Sequence, residues 1–132
     1  MRDIIVTTPK SEMKIAAKEA EECIRLIQDG EQPYYFRTFH KKPKAMGIGS
    51  RVFYVEDGYI RGFATIAEIG KGDMLCEITD RNWGGECHII MLAKNWKWIK
   101  PIPMKGFQGY RYFEPPKDMK IIGNYLDPKP ND

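Results

Sequence analysis

Residues able to do chemistry are few in this 132-residue chain. His40 and His88 are the only histidines, and Cys23, Cys76 and Cys87 the only cysteines. Cys87 and His88 are adjacent, so on a strand they point to opposite faces and do not share a metal ion. The three cysteines lack CxxC spacing, which argues against a disulfide framework and for reduced thiols in a reducing compartment. The run MGIGSR, residues 46–51, has neither the lysine nor the spacing of a phosphate-cradling loop and reads as a turn into a strand at Arg51. Ser11 and Ser50 are the only serines, and neither lies in a nucleophile elbow. Glu77, Asp80 and Glu86 could bring a carboxylate to one end of a sheet. Glu77 or Glu86 acting with Lys105 or His40 would then make a small hydrolase or nuclease for nucleosides or RNA. No pattern specifies a metal or a cofactor.

Charge segregation is a broader signal. The formal net charge is only +3, but two segments carry bases and no acids. The first holds Arg37, His40, Lys41, Lys42, Lys44 and Arg51, the second Lys94, Lys97, Lys100, Lys105 and Arg111. Aromatic residues are interleaved with both: Tyr34, Tyr35, Phe36 and Phe39 in and beside the first, Trp96, Trp98, Phe107, Tyr110, Tyr112 and Phe113 in the second. Cations displace counterions from phosphates, and rings stack bases. The expected interface therefore takes phosphate contacts from Arg37, His40, Lys41, Lys42, Lys44, Lys97, Lys100, Lys105 and Arg111, and stacking from Trp83, Trp96 or Trp98. Trp83 sits in DRNWGG, a glycine-ended loop placed to close over a ligand. The competing readings are core aromatics with an ordinary solvated basic face, and an aromatic face that meets a partner protein.

The elements that must hold these residues follow from periodicity. Asp3–Thr7 is a short β-branched strand. Thr8 and Pro9 form a helix start. Met13, Ala16, Ala17, Ala20, Cys23, Ile24 and Ile27 then recur at helical spacing up to Gly30, the left-handed closing position. Tyr34–Phe39, Arg51–Glu56 and Tyr59–Ile69 are strands, the last two joined by the Asp57–Gly58 hairpin turn. Gly62 inside its strand predicts a bulge or bend. Met74–Thr79, Glu86–Lys94, Asn95–Lys100 and Met119–Ile122 are further strands, with Asp80–Gly85 a loop. The sum is an α+β domain, a small mixed β-barrel with one long N-terminal amphipathic helix, over residues 1–126, followed by a flexible tail, 127–132. The N-terminal run lacks the apolar stretch of a secretory signal, and no stretch reaches the roughly 20 apolar residues of a membrane span, so a cytoplasmic protein is expected.

The order of features resembles the PUA-like superfamily, and within it the ASCH and EVE domains. The resemblance rests on LIQDG (26–30), the strand YYFR, and MGIGSRVFYVEDGYIRGFATIAEI (46–69). In the ASCH signature Gly-x-Lys-x-x-Glu-x-Arg, Gly30 and Arg37 match, while Gln32 and Tyr35 stand at the lysine and glutamate positions. The resemblance implies a pseudo-barrel with a basic cleft, and a ligand among RNA and modified bases. In some members it implies RNA cleavage or hydrolysis of an acylated cytidine. It also implies that Arg37 is a cleft residue meeting a phosphate or a base edge.

Overall fold

The computed structural model describes residues 1–8, 13–72, 74–76, 81–83, 85–127 and 129, with 13–17, 19, 74–76 and 81–83 described by backbone alone. Of the start expected at Thr8–Pro9 only Thr8 is among them, and the tail beyond Asp127, Lys129 excepted, lies outside them. Strand β1 (Asp3–Thr7) leads to helix α1 (Met13–Gln28), which packs on a 3-10 turn at Ala93–Asn95. The helix ends as LIQDG predicts. Gly30 has φ +87°, its N–H bonds the Ile27 carbonyl at 3.0 Å, and the Glu31 N–H bonds that of Leu26 at 2.9 Å. This bond pair closes a helix on a left-handed glycine.

The remaining strands are β2 (Tyr34–Phe39), β3 (Arg51–Glu56), β4 (Tyr59–Lys71), β5 (Met74–Cys76), β6 (Arg81–Trp83), β7 (Cys87–Leu92), β8 (Lys97–Pro103), β9 (Tyr110–Phe113) and β10 (Ile121–Asn124). Asp57 and Gly58 both take positive φ, 50° and 82°, as their hairpin turn requires. Four expectations shift. The loop expected at Asp80–Gly85 contains β6, whose three rungs with β5 are backbone bonds that its polar composition does not advertise. Strand β8 starts only at Lys97, because the Trp96 N–H closes the preceding 3-10 turn on the Ala93 carbonyl. Met119 sits in a turn, bonded to the Pro116 carbonyl, so the last strand starts at Ile121. Tyr110–Phe113, read above only as basic and aromatic, is β9, antiparallel to β1.

Eight strands form one mixed sheet in the order β10-β8-β4-β3-β1-β9, with β7 and β2 branching from the far half of β4. The long β4 makes this possible: residues 59–65 pair with β3, and residues 66–71 with β7. Within the half paired with β3, Arg61 is an extra residue, since Tyr54 pairs with Gly62 and Val55 with Ile60. This is the bulge that Gly62 predicts. A Cβ on Gly62 would lie 2.5 Å from the Lys97 carbonyl oxygen and closer still to the Trp96 ring.

Both faces of the central strands are buried. Ile4, Val6, Val52, Ala64, Ile66, Ile89 and Met91 form one core, and Ile5, Phe53, Val55, Ile60, Phe63 and Ile99 the other. The expected barrel is not closed. Among the described residues β2 pairs only with β7, and β9 only with β1, so no ladder joins them.

Asp3 fixes the start of β3. Its carboxylate accepts the Arg51 backbone N–H at 2.7 Å and the guanidinium Nε at 3.0 Å, with the second guanidinium nitrogen 2.8 Å away. Arg51 is thus already neutralised, whereas its neighbours in the first basic segment have no ion pair among the described residues. Asp3→Ala is expected to lower stability by about 1–2 kcal/mol in a urea melt, since these are charge-assisted but partly exposed bonds.

Candidate functional site

The register fixes which side chains face the first core. On β2, Tyr35, Arg37 and Phe39 lie opposite Met91, Ile89 and Cys87, all three buried. Directly paired residues share a face of the sheet, so Arg37 points inward, toward the apolar side. On β9, Tyr110 and Tyr112 lie opposite Val6 and Ile4 and face the same interior. Tyr54, opposite Gly62, joins them.

Where β2 and β9 fail to pair, a cavity of about 350 Å³ opens, lined by Arg37, Thr38, Phe39, His40, Lys41, Gly109 and Tyr110. Phe39 is buried at its floor, and its ring meets that of Tyr110 edge-on at 5.7 Å. Arg37, Thr38 and Tyr110 are half-buried walls, and His40, Lys41 and Gly109 form an exposed rim.

Among the described residues the Arg37 guanidinium has no hydrogen-bond or ionic partner. Burial pulls its pKa below the ordinary arginine value, opposed by the Tyr54 hydroxyl; no carboxylate contributes. Arginine stays protonated through the working range, so the site holds an unneutralised cation among apolar groups. On the opposite wall, partial burial and then the adjacent Tyr112 hydroxyl push the Tyr110 phenol up, which keeps it a neutral hydrogen-bonding group.

The segment from His40 to Ser50 is tied across this seam. The Ala45 N–H donates to the Tyr112 hydroxyl at 2.9 Å, the Arg2 guanidinium lies 4.6 Å above the Tyr112 ring, and Lys42 Nζ donates to the Met46 carbonyl at 3.2 Å. Tyr112→Phe removes the acceptor for Ala45. We expect a loss of about 1 kcal/mol and faster amide exchange at Ala45, read by NMR.

The cleft gathers Arg37, His40 and Lys41 from the residues expected at an interface. Lys42 is beside it but committed to Met46, and Lys44 is exposed on the same segment. Trp96 packs on Tyr54 at 5.5 Å and on Trp98 at 5.2 Å, filling the space that Gly62 leaves, while Trp98 Nε1 donates to the Asp127 carbonyl at 3.2 Å. Lys97 pairs with Phe63, and Lys100 bonds through its backbone to Lys120 at the β8–β10 end of the sheet. Arg111 follows the opposite parity to Tyr110, and its guanidinium lies 4.2 Å above the Phe107 ring; Lys105 is exposed. None of Trp96, Lys97, Trp98, Lys100, Lys105 and Arg111 lines the cavity.

The side chains of Trp83, Glu77 and Asp80 lie outside the described residues. Gly85, two positions past Trp83, abuts the cleft wall: a Cβ there would sit 2.9 Å from Thr38 Cβ and 3.0 Å from the Phe39 carbonyl. The sequence reading missed Thr38 and Gly109 as lining residues and Tyr54 as the neighbour of Arg37. Parity on β9 would have marked Tyr110 as inward, had Tyr110–Phe113 been recognised as a strand. Among the described residues no group of three histidine, cysteine or acidic side chains could hold a metal ion, and no helix is long and apolar enough to cross a membrane.

No family model and no curated protein matches the chain. Among solved structures it is similar to the crystal structure of ASCH from Zymomonas mobilis, at 16% identity over 86% of this chain and 88% of that one, with a TM-score of 0.48. A tyrosine-to-phenylalanine mutant of that protein gives 16% identity over 86% and 91% of the two chains, with a TM-score of 0.49. These neighbours carry the ASCH name of the resemblance described above.

Proposed function

We propose that the chain binds RNA or a nucleotide through the cleft between β2 and β9. The observation that carries this reading is Arg37, an inward cation with no described partner, opening into a cavity whose described lining contains no acid. Such a group is costly in the free protein and favours an anionic ligand. His40 and Lys41 at the rim extend the positive surface to solvent, and the Tyr110 and Phe39 rings offer apolar faces beside it. Trp83, the last residue of β6 and two positions before Gly85, is the candidate for stacking.

Filter binding of single-stranded RNA at increasing salt tests the proposal. Affinity should fall steeply with ionic strength, and Lys41→Gln should reduce the log–log slope by about the share of one phosphate contact. Affinity that ignores salt would exclude phosphate contacts.

One observation favours a second reading, hydrolysis of RNA or of a nucleoside. The Glu86 N–H bonds the Phe39 carbonyl at 3.0 Å, which brings that carboxylate-bearing residue beside the segment containing His40. Turnover of RNA or an acylated cytidine that is lost in Glu86→Gln would support hydrolysis. No turnover at high protein concentration would leave binding alone.

A further inference from the structure

We infer that the group seated at Arg37 is a terminal phosphate, a phosphomonoester carried by a mononucleotide or by the end of a strand, and not a phosphodiester within a chain. This deepens the binding proposal and rests on it.

The shape of the cleft is the first reason. Its floor is Phe39, 6% exposed, and its open side is the rim of His40, Lys41 and Gly109. A ligand entering past this rim meets the buried Phe39. An internal phosphodiester is flanked by a ribose on each side, so placing its oxygens beside Arg37 would force both flanks into the same pocket. A cavity of about 350 Å³ is at the small end of ligand sites and suits one end group with part of its nucleoside.

Charge is the second reason. Arg37 within and Lys41 at the rim supply two positive charges, and Asp and Glu are absent from the described lining. A phosphomonoester near neutral pH carries about −1.5 to −2, a phosphodiester only one negative charge. The planar guanidinium can donate two parallel bonds to a phosphate whose oxygens are free, and a terminal phosphate has one more such oxygen than a diester. The neutral phenol of Tyr110 can donate as well.

Calorimetric titration with unlabelled ligands tests the inference. The ligands are a nucleoside, its 5′-monophosphate, and one short single-stranded RNA prepared with a 5′-phosphate, with a 3′-phosphate, and with hydroxyls at both ends. At least one phosphate-terminated ligand is expected to bind roughly tenfold to a hundredfold more tightly than its hydroxyl counterpart, as for other hydrogen bonds to a charged group. Arg37→Gln should erase that preference, and Arg37→Lys, which keeps the charge and loses the fork, should retain part of it. A preference confined to the mononucleotide identifies a free nucleotide as the source, and one shared by an oligonucleotide identifies a strand end.

RNA that binds equally well with and without terminal phosphates overturns this inference and leaves the binding proposal standing. Failure of every nucleotide and oligonucleotide to bind overturns both. The comparison of ligands on the unaltered protein decides the matter even if an Arg37 variant folds poorly.

Discussion

Gly62→Ala is expected to be among the most damaging single-methyl changes in the chain, at about 3 kcal/mol or more. The added carbon would meet the Trp96 ring and the Lys97 carbonyl together. A side chain alone could swing away, but Lys97 belongs to the β8 backbone paired with β4, so relief requires the two strands to part. For a domain of this size the loss corresponds to a fall in Tm of roughly 10 °C by calorimetry. Gly58→Ala is the matched control. Its φ of +82° is unfavourable for alanine, but no atom lies within 4 Å of the added carbon, so the cost should be about 1 kcal/mol. Equal melting temperatures for the two variants would show that the close approach at the bulge does not exist.

Arg37→Gln is expected to move stability and binding in opposite directions. Without ligand, removing an unneutralised cation from half-buried surroundings should raise stability by up to about 1 kcal/mol in denaturant melts. The depressed pKa of Arg37 marks a destabilising group: its penalty is fully present below the folded-state pKa and relieved only above it. Arginine does not reach that point at working pH, so the gain should be flat from about pH 5 to 9. With nucleotide present the order should reverse, because only the parent protein gains the ligand's linkage stabilisation. A variant less stable than its parent at every ligand concentration would mean that Arg37 is a structural residue.

The parts of the fold written in the sequence are those with local causes. Gly30 ends α1, Asp57 and Gly58 turn β3 into β4, and Gly62 marks the bulge, because each needs a backbone conformation or a closeness that few residues allow. The missed strand β9 has a non-local cause. Tyr-Arg-Tyr-Phe alternates as many loops do, and it is a strand because β1 lies beside it. The site divides the same way. Arg37, His40 and Lys41 were legible as members of a basic run, but the run did not reveal that Arg37 faces inward, that Arg51 is neutralised by Asp3, or that Arg111 and Tyr110 point to opposite sides. Those facts depend on strand parity and partners. For Trp96 and Trp98 the sequence left a packing role open beside stacking, and both are packed: Trp96 fills the hollow above Gly62, and Trp98 is held by Asp127.

The position of β1 has a consequence for how the molecule comes together. Strand β1 lies parallel to β3 on one side and antiparallel to β9 on the other. Its β3 neighbour is made early, but the other edge waits for residues 110–113. Until then Ile4, Val6 and their neighbours are incompletely covered, and Tyr110, the far wall of the cleft, is missing. The two described walls of the cleft thus come together only when residues 37–41 and 109–110 are both present, and a chain interrupted before Gly109 would have Arg37 with no Tyr110 to face it.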